Sequence, residues 1–283
     1  MTERSKYSKC SEHSSRARSP PLKPALLVLA AWILFGGTHL LLSTDPLRGR
    51  LVARLGDRGF LNLFSAVAAV AFTVLAATGA SQHAHGVAGI ALGAHPLVRL
   101  LAIASIFLGF SLAAGSLKAY PRSPMALFSG RVSEPLGIER ISRHAFFYGL
   151  GLWALAHVLL VPTLSAAVFF AGFAVQALVG SALQDRKLLA RLGEPYRRYL
   201  DQTSALPFAA ILAGRQRLVL GELPWSALAV GAGLAWLLRE QHGHVFDHYG
   251  LWIVLSVLGG AAVATLGAER RERRLRAQEA VHG

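Results

Sequence analysis

Residues 145–183 read AFFYGLGLWALAHVLLVPTLSAAVFFAGFAVQALVGSAL, a stretch without a single Asp, Glu, Lys or Arg, and its reading decides the fold. A hydrocarbon core about 30 Å thick takes about 20 largely apolar residues per helical crossing. The stretch is therefore long enough to cross twice, and Pro162 with Thr163 mark the place where it turns. Blocks 145–161 and 164–183 are expected to form a tight antiparallel helical hairpin.

Working outward, the same texture recurs at 25–42, 60–80 and 97–117 before the hairpin, and at 225–238 and 249–266 after it. The seven blocks predict an all-α fold, a polytopic transmembrane helical bundle of about six or seven spans. Gly, Ala, Ser and Thr are frequent inside the blocks, as close helix packing in lipid requires. The organisation expected is a disordered basic tail over 1–23, a transmembrane domain over 24–220, two further transmembrane helices over 221–268 and a basic C-terminal tail over 269–283.

Composition agrees: of 283 residues, 53% are hydrophobic and 16% charged, and the mean hydropathy is +0.45, too apolar for a soluble domain of this length. The formal charge of +14 would suggest nucleic acid in a soluble protein. Here the Lys and Arg residues flank the apolar blocks, where anionic headgroups account for them, so lipid and not nucleic acid is the expected partner. Cys10 is the lone cysteine. An intrachain disulfide, a cysteine zinc site and a cysteine-ligated iron–sulfur cluster are thereby excluded, and any metal must use nitrogen or oxygen ligands.

Segments 45–59, 118–144 and 185–224 and the tail beyond Ala268 are basic, whereas 81–96 and 241–248 hold no Lys or Arg. The basic segments are expected to be cytoplasmic, in a bacterial inner membrane. Parity then puts the N-terminal tail outside despite Arg4, Lys6, Lys9, Arg16, Arg18 and Lys23; a break of the first block at Gly36-Gly37 would relieve the conflict.

Ionisable residues inside spans are costly, so His39 and His157 are the first candidates for function. Two histidines on separate helices can clamp a haem iron axially; the plainer alternative is that each hydrogen-bonds a neighbouring helix. At 1.5 Å per residue, His157 is expected about 18 Å above the cytoplasmic end of its span and His39 only about 6 Å above it. A second candidate is the mouth of the hairpin, where Arg143 and His144 lead in and Asp185, Glu194 and Tyr196 follow the exit. A third is the loop histidines His83, His85, His95, His242, His244 and His248 with Asp247, which face one compartment at spacings able to ligate zinc or copper. No phosphate-binding loop, nucleophile elbow or zinc-protease motif is present, and the residues themselves identify no catalytic group.

The run Gly137-Ile138-Glu139-Arg140-Ile141-Ser142-Arg143-His144, then Trp153-Ala154-Leu155-Ala156-His157, then Thr203-Ser204-Ala205-Leu206-Pro207-Phe208-Ala209-Ala210-Ile211 and Gly214-Arg215-Gln216, resembles the NnrU family and its plant branch, the ζ-carotene isomerases. The resemblance extends over 32–218. It implies a membrane protein binding haem b through histidines, carried by position onto His39 and His157, which would act as a cis/trans isomerase on an apolar polyene or serve nitrite and nitric oxide metabolism. Ala154 stands where the plant enzymes carry cysteine, and Ala145 where the family commonly has proline. The hairpin mouth is also similar to that of the isoprenylcysteine carboxyl methyltransferase superfamily, which implies S-adenosylmethionine held near Arg143 and His144. A non-enzymatic haem sensor or denitrification accessory protein is the third reading.

Overall fold

The structure, a computed structural model, describes residues 21–126, 131–244 and part of 251–270. The tails over 1–20 and 271–283, Asp247 and His248 lie outside the described residues, as does much of the seventh block. Among the described residues the fold is helical, with one isolated β-bridge between Ala88 and Thr163.

The first span starts with Pro24 in the first turn of α1 (Lys23–Trp32), where a missing N–H costs nothing. Gly36 and Gly37 do not break it. The chain widens into a π-turn over Ile33–Gly37, with both glycines near helical angles, and continues as α2 (Thr38–Leu42). The expected break fails because a π-turn accommodates one extra residue without releasing the backbone hydrogen bonds to lipid.

The second helix, α3 (Leu47–Gln82), holds a true break at Gly56, φ +71° and ψ 168°. Before it lies a short basic piece with Arg48, Arg50 and Arg54; after it comes the second apolar block. A left-handed φ is free of strain only for glycine, so Gly56 sets where the basic piece turns into the span.

α4 (Pro96–Ala119) is the third span, followed by the single turn α5 (Ile138–Ile141). The hairpin is α6 (Ala145–Leu160) and α7 (Leu164–Leu192), then α8 (Glu194–Gln202), the single turn α9 (Ala209–Leu212) and α10 (Trp225–Glu240). Lys23–Leu42, Leu47–Gln82, Pro96–Arg122 and Leu164–Leu192 are each long and apolar enough to cross a membrane. Side chains such as Val70, Leu100 and Val230 stand more than 60% exposed on the bundle surface, a placement that suits lipid.

In space the helices follow the order α10, α4, α6, α7, α1, α3, each packed on the next. Small residues allow this. A Cβ on Gly109 of α4 would lie 2.5 Å from the carbonyl oxygen of Gly149 on α6, and one on Gly231 of α10 would lie 2.5 Å from that of Phe110. On the far side Trp32 rests against Gly172 and donates its indole N–H to the Phe169 carbonyl at 2.9 Å.

The Lys/Arg-free loop after α3 closes over the hairpin turn. Leu164 N donates to Val87 O and Gly89 N to Pro162 O, both at 2.8 Å. The Thr163 hydroxyl donates to His83 O and caps α7 by accepting from Ala166 N; that of Ser165 lies 2.8 Å from the carbonyls of both Gln82 and His85.

Candidate functional site

α7 runs past the end of the apolar block and so carries Asp185 beside the start of α6. Its carboxylate accepts from Arg143 Nη2 at 2.7 Å and Nε at 3.0 Å, from His144 Nε2 at 2.7 Å and from the Tyr196 hydroxyl at 2.7 Å. Gly193, φ +59°, turns the chain from α7 into α8 so that Tyr196 reaches back. Tyr196 is fully buried, and burial together with the Asp185 carboxylate raises its phenol well above the ordinary value. A carboxylate serving a bidentate guanidinium, an imidazole and a phenol has its lone pairs committed, so this cluster closes on itself.

The motif residues of the sequence meet here. The Thr203–Ile211 run lies across α5: Arg143 N donates to Ser204 O at 2.9 Å, Phe208 N to Ile141 O at 2.8 Å and the Ser142 hydroxyl to Ala205 O at 2.5 Å. Arg215 Nη1 donates to Thr203 O at 2.9 Å. Arg140 reaches Gln216 Oε1 at 2.8 Å and forms a fork with Glu222, Nε at 2.8 Å and Nη2 at 3.1 Å. That pair holds the Glu222 carboxyl below its usual range.

Beneath this lattice sits Glu139, 6% exposed, whose carboxyl burial raises above the ordinary value. Tyr199, 2% exposed, lies within electrostatic reach of it and is likewise raised, by burial first and then by Glu139. Glu139 Oε1, Tyr199 Oη and His144 Nδ1 are buried without a hydrogen-bond partner among the described residues.

Of the sequence candidates, Arg143 and His144 are brought together with Asp185 and Tyr196. Glu194 is not: it is exposed and forms a loose pair with Arg197 at 3.7 Å. Glu194 is thus not part of the cluster that Arg143, His144 and Tyr196 form with Asp185.

The structure does not bring His39 and His157 together. α1 and α7 run side by side, with Trp32 against Phe169 and Phe173 and Gly36 beside Gln176, which puts His39 level with about residue 180 of α7. His157 stacks on Phe170 at 4.4 Å. Ten residues of helix separate these levels, about 15 Å at 1.5 Å per residue. α3 gives the same answer, since His39 lies against Phe64 and Phe169 against Gly79. A metal bonds imidazole nitrogen at about 2 Å, so the pair does not fit the two axial positions of one haem.

Each histidine has its own surroundings. His39 sits among Phe35 and Phe64, its Nδ1 buried without a partner among the described residues. The His157 ring is 9% exposed and donates from Nδ1 to the Trp153 carbonyl at 2.8 Å. Its other neighbour is His242, ring centroids 5.9 Å apart.

Sequence reasoning passed over the roles of Glu139, Tyr199 and Glu222. The signal existed for Glu139, a carboxylate in a motif otherwise basic and apolar; Glu222, 82 residues from Arg140, gave none.

Relatives match part of the chain. A chloroplastic 15-cis-zeta-carotene isomerase of Zea mays is 42% identical over 82 residues, 29% of this chain and 22% of that protein. Its counterpart in Arabidopsis thaliana is 40% identical over 110 residues, 35% of this chain and 29% of that protein. The matched part thus covers less than a third of the length of either relative. No solved structure matches the chain. The profile of the family described as NnrU protein matches residues 26–248, from α1 through α10 and so across every element that builds the mouth and carries the two span histidines; the chain belongs to the NnrU family.

Proposed function

We propose that this protein is an isomerase that changes double-bond geometry in an apolar polyene taken from the lipid, in a bacterial inner membrane with its basic face toward the cytoplasm. The observation that carries the reading is an apolar groove of about 430 Å³ between α1 and α3, in a chain whose relatives are named for isomerising a carotene. Leu27, Ala30, Ala31, Leu34 and Val74 form its walls, and Thr78, Ser81 and Gln82 its polar end. Such walls hold a hydrocarbon by close van der Waals packing and give it no ionic anchor, so selection rests on shape.

The groove binds and orients; the Asp185 cluster at the opposite end of α7 holds the hairpin mouth shut. Haem b is the cofactor the resemblance implies, and an iron bound near the polyene would supply electron density to a conjugated bond. The His39 and His157 pairing does not fit that group.

The test is turnover in vesicles. Purified protein is reconstituted with 15-cis-zeta-carotene, with hemin and reductant supplied, and isomers are separated by chromatography. Wild type is expected to convert the cis isomer, and Ala30→Trp, which fills the groove from its exposed rim, to lose conversion while melting at the same temperature. No conversion by wild type overturns the proposal.

A further inference from the structure

We infer that the pocket between α5, the end of α8 and the chain leaving α9 holds the headgroup of a phospholipid bearing a primary ammonium, with Arg215 and Arg217 on the phosphate and Glu134 on the ammonium. The inference stands apart from the isomerase reading, because it is read by lipid binding and not by turnover.

The Gly214-Arg215-Gln216 run builds the pocket. Gly214, φ +70°, reverses the chain after α9, and the backbone N–H groups of Arg215 and Gln216 both donate to Ala210 O, at 2.9 and 3.1 Å. A cavity of about 460 Å³ opens beside this turn, lined by Glu134, Arg140, Gln202, Arg215, Gln216 and Arg217.

Its three guanidinium groups are not equivalent. Arg140 forks onto Glu222 and donates from Nη1 to Gln216 Oε1, so its charge is neutralised and it serves as wall. Arg215 is anchored through Nη1 alone, on the carbonyls of Asp201 at 2.5 Å and Thr203 at 2.9 Å, which carry no countercharge. Its Nε and Nη2 keep three N–H donors without a partner among the described residues. Arg217 and Glu134 line the same cavity, yet neither forms an ion pair with the other or with any other described residue.

Two guanidinium groups with open donors match a phosphodiester, whose oxygens only accept and which the planar fork of arginine engages. The Glu134 carboxylate beside them opposes a purely anionic ligand. A ligand that carries an ammonium next to its phosphate removes that conflict. A choline headgroup has the charge but no N–H to donate, and a glycerol headgroup has no positive charge; a primary ammonium supplies both.

The flanks of the run call for a ligand with chains. Leu212 precedes it, Leu218, Leu220 and Trp225 follow, and all four side chains are exposed. Trp225 opens α10, the kind of place at the boundary of lipid and water where tryptophan is favoured. A free phosphate compound gains nothing from such flanks, whereas acyl chains lie on them, and basic pockets beside spans take lipid headgroups in this way.

The full chain in mild detergent is titrated with dioleoyl phosphatidylethanolamine, phosphatidylglycerol and phosphatidylcholine in mixed micelles, and bound lipid is counted by native mass spectrometry. Wild type is compared with Arg217→Gln, Glu134→Gln and Arg54→Gln; Arg54, on the basic piece of α3 outside the pocket, controls for surface charge. All three side chains are exposed, so melting temperatures should agree. Wild type is expected to favour phosphatidylethanolamine over both other lipids. Arg217→Gln should bind it about fivefold more weakly, the contribution of one arginine near a lipid surface, with Arg54→Gln unchanged. Glu134→Gln should lose the preference over phosphatidylglycerol, and phosphoethanolamine, the headgroup without chains, should not displace the lipid at equal concentration. No preference in wild type, wild-type affinity in Arg217→Gln, an equal loss in Arg54→Gln, or a preference kept by Glu134→Gln overturns the inference. Displacement by phosphoethanolamine at equal concentration overturns it too, by assigning the pocket to a soluble phosphate compound.

Discussion

Gly109 and Gly149 meet backbone to backbone, each occupying the space into which the other's side chain would project. This contact fixes the α4–α6 distance, and through α4 it fixes where α10 and its terminal histidine turn can lie. Gly109→Ala drives a methyl group to 2.5 Å from the Gly149 carbonyl. The overpacking cost of about 1–3 kcal/mol outweighs the gain of about 0.5–1 kcal/mol from alanine in a helix. Thermal unfolding in detergent should show a lower melting temperature. Gly233→Ala, which meets nothing within 4 Å on the exposed side of α10, should leave it unchanged or raise it.

Asp185 neutralises Arg143 while holding His144 and Tyr196, with side-chain exposures of 14% for Arg143 and 16% for Asp185. Asp185→Asn leaves the guanidinium and the imidazole without their anion, and breaking a pair this far from water costs about 3 kcal/mol. The exposed Glu194–Arg197 pair is the control: Glu194→Gln should cost less than about 0.5 kcal/mol. Equal melting temperatures for the two variants would refute the assigned role of the Asp185 cluster.

Burial raises the Glu139 carboxyl, so the folded state holds that proton more tightly than the unfolded chain. The stability this contributes is full below the ordinary value of 4.5 and is lost as pH climbs from there through the raised value. Glu139→Gln removes the dependence while keeping the shape. The variant should therefore be more stable than wild type at pH 8, with the advantage shrinking toward pH 4.5. Melting curves across that range check it, and an advantage that grows on acidification contradicts it.

The loop over 83–91, the hairpin turn and His242 share one end of the bundle, with Arg54 and Arg217 on basic segments assigned to the other. In a Cys10→Ser background, His83→Cys and His242→Cys should react with an impermeant thiol reagent from one side of sealed vesicles. Arg54→Cys and Arg217→Cys should react from the other. A mixed pattern would refute the topology.

Much of the fold was legible because lipid imposes length and apolarity on a span. The hairpin about Pro162 and Thr163 needed only the count of apolar residues and a turn residue. The π-turn at Ile33–Gly37 was not legible, since paired glycines are compatible with a break as well as with a widened helix. The site was legible in residue types but not in partners. His39, His157, Arg143 and His144 were all singled out, yet periodicity fixes positions along a helix and leaves open which neighbour each meets. The depth estimates for the two span histidines already disagreed by about 12 Å, and the distinct levels seen for their rings follow the same helix geometry. His242 stood apart as a loop residue because its approach to His157 depends on α4 relaying two glycine contacts, which no local pattern encodes.

The site assignment rests on His39 and His157 lying at different levels of one bundle. Pulsed electron resonance between spin labels at His39→Cys and His157→Cys, in the Cys10→Ser background, measures that separation directly. The account predicts about 15 Å or more, as ten residues of helix require; a distance below about 13 Å, the most that two histidine side chains on one metal can span, would contradict it.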